Sequence, residues 1–384
     1  MQPLEGFRVL DLTHVLAGPC ATHHLRCLGA EVIKVERPVT GDPIRELAVR
    51  PEMEGVPPGF RALNTGKQSV VIDLATPAGR AALLNLARDV DIFVENFRPG
   101  AARRLGLGPE DIRAVQPKII YCSISGWGQS GPNSARGAYD HVIQAATGMM
   151  ALQSAPGTDA PVKVGFPVVD IATGMSAAEA ILAAVIRRLR GDTSPITIDV
   201  AMVDSALALM SGPAALTLTT GKAPPRVGNR GFVGSPGAET FATSDGHISV
   251  AANTMRQFAS LCRVLGRPEL SAPPHIPAGL AADAFLTNLA TGALREALAG
   301  AFAKAAADTL ETELNAQGVP AARVRNLREY LSEVYADTPG IGVPGEPFAF
   351  GPAFRWEGDA PIALPEAPRL GADTDRLIRS GAGS

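Results

Sequence analysis

The chain has 384 residues, of which 46% are hydrophobic but only 5% aromatic, with 40 glycines and 32 prolines. That length exceeds one small core and fits one large domain with a smaller partner, the interior built from Ala, Val, Leu and Ile. A net charge of −3 argues against nucleic acid or an anionic membrane as the main partner, so an anionic small ligand needs a local basic pocket. Four scattered cysteines (Cys20, Cys27, Cys122, Cys262) suit free thiols. Arg8 and Asp11 interrupt the first apolar stretch, against a signal peptide, and no uninterrupted apolar run reaches spanning length. A cytoplasmic protein is the expectation.

Residues Phe7 to Leu12 alternate and predict a strand. Ala17-Gly18-Pro19 opens a helix that runs to about Leu28, with Gly29 as its stop, and Glu31 to Glu36 is a second strand. This βαβ unit predicts a parallel sheet with a ligand crevice at the strand ends, where Arg37 follows directly. It lacks G-x-G-x-x-G, so a dinucleotide is not indicated. Cys20, His24 and Cys27 share a helix face, a spacing that raises the question of a metal. Structural zinc usually draws ligands from a loop or two elements, so buried small side chains and no metal are expected.

Gln68 to Leu74 predicts another strand, then Thr76 caps a helix with Pro77 at its first position and its end near Arg88. Asp91 to Asn96 is the next strand. Arg98, Arg103 and Arg104 follow beside a helix start at Pro99, either as a solvated basic face or as a phosphate site. Lys118 to Ile124 predicts a further strand, followed by a Gly-rich loop and a helix opened by Tyr139-Asp140-His141. Strand–helix alternation to about residue 205 gives an α/β class with a mostly parallel sheet.

Within Val164 to Gly174, Asp170 precedes a helix read from Met175 to Leu189 that ends in Arg187, Arg188 and Arg190. Asp170 is then either an N-cap or a reacting carboxylate whose charge the helix-start amides stabilise. After Leu218, Gly221 to Pro225 suggests a linker. A mobile lid is expected at Gly231, Phe232, Val233 and Gly234, within the loop 228–237. A β segment from Glu239 to Ala251, turning at Asp245-Gly246, and helices to about Gln317 make a smaller domain. The domain expectation is 1–220 for the first part of the large domain, 226–318 for the small one, and 319–384 for a linker and C-terminal return with a short helix near Thr374 to Leu377.

Five stretches in this order resemble one family: Leu16 to Pro19, Leu28 to Pro38 with Gly41-Asp42, Val94 to Gly100, Gly165 to Asp170, and Ala367 to Gly371. Together they resemble the class III CoA-transferases of the formyl-CoA:oxalate and carnitine type. The resemblance implies a Rossmann-like large domain built from both chain ends, a smaller α+β domain, and two subunits interlocked as a homodimer. It implies Asp170 as the catalytic aspartate. It also implies that Val15, Leu16, Ala17, Arg37, Ile72, Asn96, Phe97, Arg104 and Tyr139 lie around CoA. The sequence departs from the family at Ala75 and Gly137, where lysines are found in the formyl transferase.

The implied activity moves CoA from an acyl-CoA donor, such as succinyl-CoA, to a free carboxylic acid through anhydride and thioester intermediates on Asp170. Acyl-CoA and small carboxylic acids are the expected substrates, with no permanently bound cofactor or metal. This chemistry needs an ionised Asp170, which the helix-start amides are expected to keep charged. The alternatives are an α-methylacyl-CoA racemase of the same superfamily, which resembles this chain except for Tyr139 in place of a His, and a non-catalytic CoA-binding protein.

Overall fold

The computed structural model describes residues 2–47, 56–153, 160–231, 233–335, 342–343, 346–350, 353–354, 357 and 365–379. The chain divides into two compact units, one of residues 1–150, 163–224 and 341–384, the other of residues 151–162 and 225–340.

In the first unit, β1 (Arg8–Asp11), α1 (Ala17–Cys27), β2 (Glu31–Glu36), α2 (Pro58–Asn64), β3 (Gln68–Val71), α3 (Pro77–Ala87) and β4 (Ile92–Glu95) follow in order. Next come α4 (Ala101–Arg104), α5 (Pro109–Val115), β5 (Ile120–Ser125), α6 (Asp140–Ala146), α7 (Met149–Leu152, its last two residues belonging to the second unit), α8 (Val168–Leu189), β6 (Ile196–Ala201), α9 (Met202–Leu209) and α10 (Ser211–Thr220). The six strands pair in parallel in the order β3-β2-β1-β4-β5-β6. Alternate residues feed two cores: Val9, Ile92, Val94 and Cys122 pack on α1 and α8, while Leu10, Phe93 and Tyr121 face Leu83 of α3 and Ile112 of α5. A sheet covered on both faces calls for apolar side chains on both sides, which these strands supply, although β2 also buries Lys34 and Glu36. The strand order reverses between β1 and β4, the switch point beyond which ligands bind in such sheets.

Local signals set the boundaries. The Thr76 hydroxyl accepts the Gly79 amide at 3.0 Å and starts α3 at Pro77, as expected. Gly29, at φ 103°, turns the chain out of α1. The expected opening of α4 by Pro99 is corrected: α4 starts after Gly100, which sits at φ 77°. α8 also differs from expectation, because it begins at Val168 and not near Met175, placing Asp170 inside its first turn. By length and apolarity alone α8 would suit a membrane span. Here it is a core helix, packed on α1, β5, β6 and α9.

Gly174 permits the α1–α8 approach. A Cβ there would lie 2.6 Å from Cys20 Cβ and 2.7 Å from the Ala17 carbonyl oxygen. Gly174→Ala is therefore expected to destabilise the protein by about 1–3 kcal/mol, read as a lowered urea midpoint at unchanged m-value.

The C-terminal segment closes the β3 edge. Ser69 accepts the Gly371 amide on its hydroxyl (2.9 Å), its own amide donates to Asp373 (3.0 Å), and the Val71 amide donates to the Thr374 hydroxyl (3.0 Å). These bonds satisfy an edge that would otherwise offer free backbone groups. The expected terminal helix runs from Thr374 to Arg379.

The second unit holds an antiparallel sheet, β7 (Gly237–Ala242), β8 (His247–Ala252) and β9 (Ala321–Arg323), with α11 (Met255–Val264), α12 (Gly292–Phe302) and α13 (Ala307–Ala316). Phe241, Ile248, Phe258, Leu298, Phe302 and Leu314 form its core. The boundary expected at residue 318 falls too early, because β9 pairs with β8 and keeps the chain in this unit.

Candidate functional site

The first unit carries a cleft of about 420 Å³ beyond the C-terminal ends of β1, β2, β3 and β4. Its walls come from the loops leaving those strands: Leu12, Thr13 and His14 after β1, Arg37, Pro38, Gly41 and Asp42 after β2, Ile72 to Ala75 after β3, and Phe97 after β4. Of the residues expected around CoA, Arg37, Ile72 and Phe97 line this cleft. Asn96 brackets His14, accepting its amide at 3.0 Å and donating to its carbonyl at 2.9 Å. Val15 and Leu16 continue the loop into α1, where Ala17 is the first helical residue. Arg104 and Tyr139 are exposed and are not part of the cleft wall, and Tyr139 precedes α6 at 68% exposure. Of the expected basic cluster, Arg103 pairs with Glu110 at 2.9 Å on the surface.

Asp170 is half-buried in the first turn of α8, beside the first turn of α1. Burial, reinforced by the negative charge of Asp140, raises its pKa to about 7. The expectation that helix-start amides keep Asp170 ionised is corrected, because those amides are taken by another side chain. The buried Asp140 carboxylate accepts the amides of Val169 (2.7 Å) and Asp170 (3.1 Å) through one oxygen, and the Gln144 amide nitrogen (2.5 Å) through the other. Gln144 in turn accepts the Val164 amide at 2.8 Å. α6 therefore caps α8 from outside, and Asp170 is spared the role of N-cap. A carboxyl group near neutrality, unbound by its own helix, can act as a nucleophile or a proton acceptor.

Sequence reasoning missed Asp140 and Gln144 as site residues. Their i, i+4 spacing puts two polar groups on one face of α6, the one local hint available. It also missed a buried ionic network behind the cleft. Lys67 donates to Asp11 (3.1 Å), to the Thr22 hydroxyl (2.7 Å) and to the Pro19 carbonyl (3.1 Å). Lys34 pairs with Asp42 at 2.9 Å, and Glu36 binds Arg45 through both carboxylate oxygens at 2.7 Å. Burial lowers Lys67 to about 8 despite Asp11, whereas burial of Lys34 is outweighed by Asp11, Asp42 and Glu36, which raise it.

Burial pushes the Cys20 thiol up to about 11, and Asp170 adds to that rise. The four cysteines are buried and free.

The proposed lid belongs to the second unit. Arg230 bridges to Glu239, the Gly231 amide donates to the Ala238 carbonyl (2.7 Å), and the Asn288 amide donates to the Val233 carbonyl (3.0 Å). Gly234, at φ 67°, lies against Asn288. Phe232 lies outside the described residues.

A model described as "CoA-transferase family III" matches residues 4–374. The chain is 41% identical over 270 residues to the succinyl-CoA:glutarate CoA-transferase of Mus musculus, an alignment covering 70% of this chain and 61% of that protein. It is 34% identical over 352 residues to the succinate–glutarate CoA-transferase of Agrobacterium fabrum, covering 89% of this chain and 84% of that one. A crystal structure of a CaiB/BaiF family protein from Brucella suis superposes with a TM-score of 0.87 at 31% identity, over 99% of both chains. Matched over nearly its whole length in sequence and in fold, this chain belongs to CoA-transferase family III.

Proposed function

We propose that this protein transfers CoA from an acyl-CoA donor, with succinyl-CoA the first choice, to a free small dicarboxylic acid, using Asp170 as nucleophile. The Asp170 carboxylate attacks the thioester carbonyl; a C–O bond forms, the C–S bond breaks, and CoA thiolate leaves. The thiolate attacks the Asp170 carbonyl carbon of the anhydride, forming a C–S bond and releasing the donor acid. The acceptor carboxylate then attacks the aspartyl thioester and expels CoA thiolate, which finally takes the new acyl group and frees Asp170. No proton is gained or lost over the cycle, and thioester energy is kept.

The observation that carries this reading is a half-buried Asp170, raised to about 7, whose backbone is fixed by Asp140 while its side chain is left for chemistry. Burial serves a second need, because water would hydrolyse the anhydride. CoA is assigned to the cleft, with Val15, Leu16, Ala17, Arg37, Ile72, Asn96 and Phe97 around it; Arg104 and Tyr139, outside the cleft wall, are kept as further candidate contacts. Self-association into a homodimer is supported by α10, which has no buried residue and exposes Leu216 and Leu218, beside exposed Leu207 and Leu209 of α9.

The test is exchange of CoA from succinyl-, acetyl- and formyl-CoA to a panel of free acids, read by mass spectrometry. Formation of new acyl-CoA with stoichiometric release of the donor acid is expected. CoA binding without exchange would overturn the reading in favour of a binding protein. Deuterium uptake at Cα of a 2-methylacyl-CoA would overturn it in favour of a racemase, whose acid–base chemistry a carboxyl group near neutrality also suits.

A further inference from the structure

Val15 sits at φ 68°, in the left-handed region. A β-branched residue there is a backbone outlier, and it persists only where its surroundings over-determine it. The surroundings here are side chains with little freedom. The Val15 amide donates to Asp42 Oδ1 at 3.0 Å, and the same oxygen accepts the Ile44 amide at 3.1 Å. Asp42 Oδ2 pairs with Lys34 Nζ at 2.9 Å, with both side chains at most 1% exposed. Lys34 also donates to the Thr13 carbonyl at 2.8 Å, so one ion pair grips the loop on both sides of His14. Asn96 holds His14 itself, and Asp11 accepts the Thr13 amide at 2.9 Å. Thr13 and His14 are cleft wall.

We propose that the buried Lys34–Asp42 pair is a positioning device for the cleft: it fixes Val15 in its left-handed conformation and holds residues 13–16 in their ligand-ready shape before acyl-CoA arrives. This rests on the reading of the cleft as the CoA site. A wall already in its bound shape loses no conformational freedom on binding, so the ligand gains the affinity that ordering would have cost. An isolated surface pair could not do this. A buried pair that also binds the Thr13 carbonyl and the Val15 amide ties that loop to the sheet, Lys34 being a β2 residue.

The test combines hydrogen–deuterium exchange of peptides covering residues 12–18 in the free protein with CoA dissociation constants for the wild type, Asp42→Ala and the double variant Asp42→Ala/Val15→Gly. In free wild type the segment should exchange slowly, and CoA should change it little. Asp42→Ala should speed exchange and weaken CoA binding about tenfold. Adding Val15→Gly should recover about threefold or more, because glycine reaches positive φ without strain. That recovery is the mark of positioning, since a role confined to overall stability predicts none.

The proposal is overturned if the free wild-type segment exchanges as fast as exposed loops, if Asp42→Ala lowers Tm at unchanged CoA affinity, or if Val15→Gly restores nothing. The wild-type exchange arm decides the matter even if Asp42→Ala does not fold. A wild type that binds no CoA would overturn the cleft reading, while the exchange arm would still report on the loop.

Discussion

Asp170→Asn is expected to lose CoA transfer by about 10⁴-fold or more while still folding and binding CoA, measured on protein shown by mass spectrometry to be free of deamidation. Asparagine is close to isosteric but has no carboxylate to form the anhydride. The same variant should gain stability, and the sign follows from linkage. Asp170 titrates at about 7 in the folded protein against an ordinary 3.8. The folded state therefore holds its proton more tightly, and the stability this contributes is fully present below the unfolded pKa and is lost as pH rises through about 7. A permanently neutral side chain avoids that loss. Discounting the full conversion for partial solvent contact, Asp170→Asn should be more stable than wild type by about 2 kcal/mol at pH 8 and nearly equal to it at pH 3.5. A variant that is inactive and less stable at pH 8 would place Asp170 as a structural cap and not as the nucleophile.

Asp140 separates capping from electrostatics. Asp140→Ala leaves the Val169 and Asp170 amides without their acceptor in a buried setting, at an expected cost of about 2–3 kcal/mol and with loss of the geometry around Asp170. Asp140→Asn keeps an acceptor oxygen but removes the charge that, after burial, raises Asp170. In wild type, kcat/KM should rise about tenfold per pH unit below about 7 and level off above it, following the carboxylate form. With Asp140→Asn the rising limb should move to lower pH while retaining its shape. An unmoved limb would mean that the titrating group is not Asp170, or that Asp140 does not act on it.

What the sequence revealed and what it concealed divide along the range of the interactions involved. β1, α1 and β2 were legible because Arg8 to Glu36 carries its own alternation, helix start and glycine stop. Thr76-Pro77 announced α3 because a hydroxyl three residues before an amide is a local bond. Asp170 was legible as a helix-start carboxylate, but its partner was not, since Asp140 lies 30 residues away. The cap the sequence ascribed to Asp170 is supplied across space, and no local pattern distinguishes a carboxylate that caps from one that is capped.

Lys34 and Glu36 were concealed for another reason. In Glu31-Val32-Ile33-Lys34-Val35-Glu36 the charges resemble a solvated strand face, yet β2 lies between β1 and β3 with both charges buried. Their partners Asp42, Arg45, Asp11 and Ser69 arrive from loops and neighbouring strands. The small domain extends past residue 318 without a local signal, because the strand Ala321–Arg323 has only three residues and no pattern of its own; pairing with β8 makes it a strand.

The most direct measurement is peptide mass spectrometry of the protein acid-quenched during turnover with succinyl-CoA and a free acid. The account predicts an adduct of CoA, or of its hydroxylamine-trapped equivalent, on the peptide containing Asp170 and at that residue. Exchange that proceeds at full rate with position 170 unmodified, or with the adduct on another side chain, would contradict it.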